Sequence, residues 1–389
     1  SAKDASFFAT QAFSFLFFVL LFFCILLEIF TPFIIKIFSP GFNNDPIKFH
    51  MTVHLSQIMI PYLFFISLAS LVGGMLQVHN HFASTAGSPI LLNLSLISGV
   101  IIAKSRPELG LSFAVFVAGI LQFTMMLLSA YKLQIKFKLT TKFKINNDIK
   151  QFFCKLGPAI FSSCINQISV WVDTIFASLF SSAVSYIYYA DRINQLPQAI
   201  IGTAISTVLL PLISKHIKND DVKEAIVTQN KALELGLMMA IPATAALAVM
   251  PDIILKTLFE YGEFTHEDVL NTSVILKIFG FSLPAFIISK ILLPTFFAAG
   301  NTKQPAIFAL ASLVLNITLN ILLMKKHGYV GIAYATTISS WLNALLLITY
   351  LRKKDLYQFN EGLSSNLTKF VISSFIMIIA IVLIRSSLD

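Results

Sequence analysis

The chain has 389 residues, of which 56% are hydrophobic and only 12% are charged, and its mean hydropathy is +0.80. A soluble domain carries about 25% charged residues, so this composition excludes a soluble globular protein. The net charge of +9 does not call for a nucleic-acid partner, because lysines collect in the cytoplasmic loops of membrane proteins. The composition therefore predicts an all-α polytopic membrane protein.

Long apolar runs recur along the chain at intervals suited to membrane crossing. A bilayer core of about 30 Å needs about 20 apolar residues per helix. The sequence predicts about eleven spans, at 11–37, 55–78, 89–103, 110–131, 157–181, 183–213, 230–250, 269–298, 305–324, 330–351 and 366–384. The span at 89–103 is short, and we expect it to be tilted or to extend into its flanks.

Lysine and arginine in the alternate loops set the expected orientation. Fifteen lie on one side and eight on the other, which places the first residue in the cytoplasm and the last outside. Five prolines lie inside predicted spans and are expected to kink them: Pro61, Pro197, Pro242, Pro284 and Pro294. So many breaks favour a transporter over a rigid helical bundle.

A helix–turn–helix pattern with asparagines in its second helix occurs twice, at 76–98 and 295–320. In both copies a proline, Pro89 or Pro305, is predicted to open the second helix. Equal orientation of the copies predicts a parallel repeat. The chain then divides into an N-terminal lobe (1–131), a lysine-rich cytoplasmic linker (132–155), a C-terminal lobe (156–351) and an additional transmembrane helix (352–389).

The span at 183–213 holds an acid and a base, Asp191 and Arg192, roughly ten residues from its start. An arginine at this depth costs about 2.5–3.5 kcal/mol on insertion scales, so it normally faces a wet cavity or a partner. The alternative is a pair that only locks neighbouring helices together. Because adjacent helical residues point about 100° apart, the two side chains are not expected to neutralise each other.

A second group of polar residues is predicted to lie on neighbouring spans. Asp173 is an unpaired carboxylate within its span, Asn316 and Asn320 share one helix face, and Thr336 adds an oxygen from the next span. A carboxylate with several neutral oxygens suits a hard cation, so these four residues form a candidate Na⁺ site. The alternative is an interhelical hydrogen-bond cluster, which commonly joins membrane helices.

Two patterns that resemble enzyme sites are explained more simply. His79 and His81 lie in a short turn without further ligands, so a metal pair is not expected. Asp220, Asp221 and Glu224 resemble part of an acidic Mg²⁺ cluster, but they precede a predicted helix, where acids are favourable. An enzyme acting on polyprenyl phosphates would need such an aqueous acidic or histidine-rich site.

Six runs together resemble one known family: FSPGF (38–42), PYLFFISLASLVGGMLQ (61–77), GPAI (157–160), YYADR (188–192), LLPLISK (209–215) and LFEYGEFT (258–265). They are similar in order to the MurJ/MviN lipid II flippases of the multidrug/oligosaccharidyl-lipid/polysaccharide exporter superfamily. The resemblance implies two six-helix lobes around a central cavity that opens alternately to each side. It also implies that the first two family helices are missing before Ser1.

The resemblance also implies a function. It predicts a monomeric transporter of the bacterial inner membrane, not an enzyme, that contacts membrane lipids and moves lipid II from the inner to the outer leaflet. Lipid II is an undecaprenyl-pyrophosphate disaccharide-pentapeptide, a precursor of the cell wall. The alternative is a cation-coupled multidrug or polysaccharide-lipid exporter of the same superfamily.

Three residues are expected to contact the substrate. Arg192 matches the arginine of the family's YYADR run and is predicted to bind the pyrophosphate, because a guanidinium stays charged and presents a planar fork. Asp191 is predicted to orient Arg192 or to bond a neighbouring helix. Lys290 either extends to the headgroups or faces the cavity. No resident cofactor is expected apart from the candidate Na⁺.

Overall fold

The computed structural model describes residues 2–79, 81–135, 139–140, 167–219, 221–358 and 361–388, and the regular secondary structure in them is helical. The all-α prediction is therefore confirmed. The chain divides into two compact units, residues 1–160 and 161–389. The predicted linker at 132–155 lies mostly outside the described residues, as does the first part of the predicted span at 157–181.

The N-terminal unit contains four long helices around a small apolar core. The helices are α1 (Ala2–Phe38), α2 (Pro46–Val78), α3 (Ala83–Ile102) and α4 (Pro107–Lys132), with a short 3₁₀ helix at Pro40–Asn44. Helix α4 packs against α2 and α3, and α1 packs against α2. Phe13, Leu68, Val72 and Met126 fill the space between α1, α2 and α4. Burial of this apolar stripe joins the three helices.

Small residues let α3 and α4 approach closely. A Cβ atom on Gly99 would lie 2.6 Å from the backbone oxygen of Gly110, and one on Gly110 would clash with the backbone oxygen of Gly99. Only glycine fits at either position. Such contacts are typical of membrane helices, whose association depends on van der Waals packing because lipid is as apolar as the side chains.

The C-terminal unit contains the remaining helices. They are α5 (helical residues 167–177), α6 (Ala183–Pro197), α7 (Ala204–Lys218), α8 (Val222–Val249), α9 (Pro251–Phe259), α10 (His266–Gly280), α11 (Leu283–Ala298), α12 (Lys303–His327), α13 (Val330–Lys353) and α14 (Glu361–Leu388). Helix α11 lies at the centre and packs against α7, α8 and α13. The core there includes Leu283, Ile287, Ile291 and Phe296, which are fully or almost fully buried.

Helix α14 packs against α8 and is held by polar contacts near both of its ends. Asn366 donates a 2.7 Å hydrogen bond to Glu234 of α8. At the other end, Arg385 forms a bidentate pair with Asp252 of α9, at 2.7 and 3.3 Å. The helix is therefore attached to the rest of the unit although its outer face is exposed.

Ten of the eleven predicted spans coincide with helices that the structure describes, and the span predicted at 157–181 is described only from residue 167. Nine of these helices, counting α6 to α7 as one, are long and apolar enough to cross a membrane, and the bent pair α10–α11 would be a tenth. The short span predicted at 89–103 extends backward and becomes the 20-residue α3. The chain is thus a multi-pass membrane protein.

The predicted role of Pro89 is wrong. This proline does not open a helix, because α3 begins at Ala83 and Pro89 lies inside it. Residues 89–103 alone are too short to cross the bilayer, and the small residues before Pro89 supply the missing turns. Pro305, by contrast, lies in the first turn of α12, where its missing N–H has no intrahelical partner to lose.

Pro197 interrupts the long span predicted at 183–213. It ends α6, and residues Gln198–Thr203 continue as a π-helical turn before α7 begins at Ala204. Proline has no N–H to donate into the helix, and the wider π turn accommodates this loss. The predicted break at Pro197 is therefore present, about one turn beyond Arg192.

Candidate functional site

A cavity of about 670 Å³ lies inside the C-terminal unit, between helices α5, α6, α11, α12 and α13. This volume is within the range of small-molecule binding sites, about 300–1,000 Å³. Its lining includes five residues that the sequence singled out: Asp173, Asp191, Lys290, Asn316 and Thr336. Members of the two groups of polar residues that were predicted separately therefore line one cavity.

Asp173 of α5 is held by side chains from two other helices. Its carboxylate accepts a 3.0 Å hydrogen bond from Nδ2 of Asn320 and a 2.9 Å bond from Oγ1 of Thr336. Asn320 also donates to Oδ1 of Asn316 at 3.1 Å, and Asn316 donates to Thr336 at 3.4 Å. All four residues predicted for the candidate Na⁺ site thus lie together as a hydrogen-bonded cluster.

One oxygen of this cluster has no hydrogen-bond partner among the described residues. This atom is Oδ1 of Asn320, a residue that is fully buried. A buried amide oxygen without a donor is costly, and a hard cation would satisfy it. The donor set of one carboxylate and three neutral side-chain oxygens therefore fits Na⁺. The interhelical hydrogen bonds fit the alternative prediction equally.

Arg192 lies on the exposed side of α6 and is supported by neutral groups. Its guanidinium carbon is 4.9 Å from the ring centre of Tyr188, and Nη1 donates a 3.3 Å hydrogen bond to Gln195. The same Gln195 donates through Nε2 to Asp191. Within the described part of the chain Arg192 forms no ion pair. Its charge is therefore available to an anionic ligand.

Arg192 itself is not one of the residues that line the cavity. Tyr188, Asp191 and Gln195, which surround it on α6, all line it. Arg192 therefore lies at the rim of the cavity, next to the lining and not within it. Asp191 takes part in the local bonding of this turn of α6, as the prediction of an orienting residue requires.

Lys290 lies on α11 and is half-buried in the cavity lining. Its Nζ atom is 5.3 Å from the ring centre of Phe286, one turn earlier on the same helix. The described residues provide no carboxylate partner for it. Of the two positions predicted for Lys290, the structure shows the one that faces the cavity.

Other polar residues of the cavity were missed by sequence reasoning. Helix α13 contributes Ser339, Ser340 and Asn343 in addition to Thr336. These residues follow Thr336 at intervals of three, four and seven, so they share one face of the helix. Further lining residues of this kind are Asn194, Ser282, Ser289 and Ser312. Polar residues repeating at helical spacing inside apolar spans were the signal that could have found them.

The acidic residues that resembled an enzyme site have a structural role where the structure describes them. Asp221 caps the N-terminus of α8, accepting a 3.3 Å hydrogen bond from the backbone N–H of Glu224. Asp220 is outside the described residues. Across the described ranges no three His, Cys, Asp or Glu residues group as metal ligands. The prediction that acids start a helix here is confirmed for Asp221 and Glu224.

Comparisons of the sequence with known proteins agree on one family. The family profile described as lipid II flippase MurJ matches residues 1–389. A probable lipid II flippase MurJ of Rickettsia prowazekii is 37% identical over 388 residues, which cover 99% of this chain and 76% of the relative. One from Rhizobium meliloti is 36% identical over 382 residues, 96% of this chain and 71% of the relative.

Comparisons of the structure give the same fold. A solved lipid II flippase MurJ in an inward closed conformation superposes with a TM-score of 0.84 and 27% identity, covering 98% of this chain and 78% of that one. An inward-facing multidrug transporter of the MATE family and the MOP superfamily superposes with a TM-score of 0.75 and 14% identity. The superposition covers 92% of this chain and 82% of that one. That second likeness shows the fold alone. With a profile match over its whole length, the chain belongs to the lipid II flippase MurJ family.

Proposed function

We propose that this protein moves lipid II from the inner to the outer leaflet of the bacterial inner membrane by alternating access. Family membership over residues 1–389 is the observation that carries the proposal. The similar structure with an inward closed conformation supports a transport cycle of several states. The protein acts as a monomer, forms and breaks no covalent bonds, and needs no nucleic acid.

Arg192 binds the pyrophosphate in this proposal. Moving a pyrophosphate-linked headgroup across a low-dielectric core requires a counter-charge that stays ionised, and arginine provides one with two parallel donors. The neutral support from Tyr188 and Gln195 fixes the guanidinium without neutralising it. An arginine neutralised by a carboxylate would lack this capacity.

Lys290 and Asp191 assist Arg192. Lys290 adds a second positive charge inside the cavity, without a carboxylate partner in the described part of the chain. Asp191 acts indirectly, because its carboxylate accepts from Gln195, which in turn accepts from Arg192. Asp191 is therefore a positioning residue for the guanidinium.

The cluster of Asp173, Asn316, Asn320 and Thr336 holds Na⁺ as the coupling ion in this proposal. Its support is the convergence of these side chains from three helices and the unpaired Oδ1 of Asn320. A bound Na⁺ supplies positive charge beside Asp173. Because the cluster and Lys290 line the same cavity, cation binding and substrate binding are electrostatically linked.

The protein is oriented with its first residue in the cytoplasm. The excess of lysine and arginine on that side supports this orientation. Lys325 and Lys326, in the last turn of α12, then lie on the outer side, where they also interact favourably with the helix C-terminus.

The test of the proposal is the leaflet distribution of lipid II in bacterial cells whose own flippase can be depleted. Expression of this protein at its natural full length is expected to keep lipid II accessible on the outer face during depletion. A vector without the gene is the control, and lipid II should then accumulate inside. If lipid II stays on the inner leaflet although the protein is expressed, the proposal is contradicted. Drug efflux without lipid II transfer would favour the multidrug exporter.

A further inference from the structure

Part of the cavity has a chemistry that neither the pyrophosphate nor the cation uses. In addition to Asp173 and its partners, polar side chains of α6, α11, α12 and α13 line the cavity between apolar residues. This group, called the neutral recess below, consists of Asn194, Ser289, Ser312, Ser339 and Asn343. All five side chains are hydroxyls or carboxamides, so the recess carries no charge of its own.

The neutral recess contains unpaired polar atoms. Oδ1 of Asn194, Oγ of Ser312, Oγ of Ser339 and Oδ1 of Asn343 have no hydrogen-bond partner among the described residues. Asn194, Ser312 and Ser339 are 3%, 8% and 6% exposed, so the bulk solvent does not serve them. Buried polar groups are normally paired, and each exception requires an explanation.

The hydrogen bonds that the recess does form are weak and can be exchanged. Nδ2 of Asn343 lies 3.5 Å from Oγ of Ser289, and Nδ2 of Asn194 lies 3.5 Å from Oγ of Ser282. Both distances are at the limit for a hydrogen bond. Rotation about side-chain bonds can therefore turn these hydroxyls and amides toward a ligand at little cost.

The charges of the cavity decide which part of a ligand fits. Its charged lining residues in the described chain are two carboxylates, Asp173 and Asp191, and one ammonium, Lys290. The recess itself contains no cation that could pair with the carboxylates of a peptide stem. A neutral group rich in hydroxyls and amides would pair with the recess, and its apolar faces would pack on Phe286 and Leu293, which also line the cavity.

Resting on the proposed function, we infer that the neutral recess binds the amino-sugar part of lipid II. N-acetylated sugars carry hydroxyl and amide N–H donors for the unpaired carboxamide oxygens, and acceptors for the serine hydroxyls. The first sugar is joined directly to the pyrophosphate. Tyr188 and Gln195, which contact Arg192, line the same cavity as Asn194, so a sugar attached to a pyrophosphate at Arg192 reaches the recess.

The test compares two lipids that share a pyrophosphate and differ in sugars. Binding of lipid II and of undecaprenyl pyrophosphate to the purified full-length protein would be measured in the same detergent. The double variant Ser312→Ala/Ser339→Ala is expected to bind lipid II about tenfold more weakly, the combined effect of two neutral hydrogen bonds. Its affinity for undecaprenyl pyrophosphate should not change.

Ser374→Ala is the matched control. Oγ of Ser374 is also buried and unpaired among the described residues, but it lies on α14, outside the cavity. Its removal should alter neither affinity. If the double variant binds lipid II as the wild type does, or loses both lipids equally, the sugar assignment is overturned.

A further variant separates this inference from the proposed function. Arg192→Ala should weaken binding of both lipids, because both carry the pyrophosphate. If Arg192→Ala leaves both affinities unchanged while the double variant loses lipid II, the pyrophosphate role of Arg192 fails and the sugar recess stands. The reverse pattern retains the pyrophosphate site and rejects the recess.

Discussion

Arg192 combines a fixed position with an available charge. It is the tenth residue of α6, stacks on Tyr188 and bonds to the amide of Gln195. None of these contacts is with an anion, so the guanidinium retains the capacity to bind one. In the same way, the carboxylate of Asp173 accepts hydrogen bonds from two neutral side chains, Asn320 and Thr336. The direct hydrogen bonds of both charged groups are therefore with neutral side chains.

Replacement of Asp173 by asparagine tests the cation site. Wild-type protein should melt at a higher temperature in Na⁺ than in K⁺ at equal ionic strength, because an ion that binds only the folded state stabilises it. At about ten times its Kd the gain is about 1.4 kcal/mol, or roughly 3 °C for a domain of this size. Asp173→Asn should abolish the difference, since an amide cannot balance the cation.

Asp252→Asn supplies the control for this measurement. It makes the same chemical change at a carboxylate of α9 that pairs with Arg385, away from the cluster. The Na⁺ effect should persist in it. An unchanged Na⁺ effect in Asp173→Asn would show that the cluster is only an interhelical hydrogen-bond network.

Replacement of Lys290 tests whether its charge contributes to binding of the pyrophosphate. Lys290→Met keeps most of the apolar stem and removes the charge, so the affinity for undecaprenyl pyrophosphate is expected to fall about tenfold, the usual effect of losing a hydrogen bond to a charged group. Lys277→Met, at an exposed position on α10 outside the cavity, should have no effect. Equal affinities in a direct binding assay would contradict a cavity role for Lys290.

The residues with unusual chemistry were predictable from the sequence, and the neutral ones were not. A charge inside an apolar span is costly, so Asp173, Arg192 and Lys290 stood out at once. Serine and asparagine commonly form hydrogen bonds between membrane helices, so the presence of Ser339 or Asn343 in the sequence does not by itself indicate a binding site. Only the packing of α11, α12 and α13 shows that such residues share one cavity.

Small residues determine how closely two helices pack, and proline breaks determine where a helix is interrupted. The turn of π helix after Pro197 divides one apolar span into α6 and α7, beside α11. In the N-terminal unit the contact of Gly99 with Gly110 sets the spacing of α3 and α4. Sequence reasoning found the proline break, because proline lacks an N–H wherever it occurs. It placed the start of α3 wrongly, since small polar residues give no clear boundary.

Gly99→Ala tests the close approach of α3 and α4. The added methyl group would lie 2.6 Å from the backbone oxygen of Gly110, so the helices must separate. Overpacking of this kind lowers the free energy of unfolding by about 1–3 kcal/mol. Thermal unfolding in detergent should show the loss.

Gly74→Ala on α2 is the control, because no atom lies within 4 Å of the added Cβ. It should leave the melting temperature unchanged or raise it slightly, since alanine favours the helix. A Gly99→Ala protein as stable as the Gly74→Ala protein would mean that α3 and α4 do not depend on this contact.

For the whole molecule, membership of the MurJ family confirms the prediction from the ordered motifs. The overall class was predictable because a chain with 12% charged residues and repeated apolar runs has few alternatives to a membrane bundle. The candidate ion cluster and the cavity lysine lie together in the C-terminal unit, with Arg192 at the cavity's edge. One unit thus contains the groups that we propose for both substrate and coupling ion.

The most direct measurement is outward transfer of lipid II in cells that rely on this protein alone, compared for wild type, Arg192→Ala and Arg192→Lys. Arg192→Ala is expected to abolish transfer and Arg192→Lys to restore little, because a point charge cannot reproduce the planar fork of donors. Membrane insertion and abundance of each variant would be measured in parallel. Normal transfer by a well-folded Arg192→Ala protein would show that Arg192 is a structural residue and does not bind the pyrophosphate.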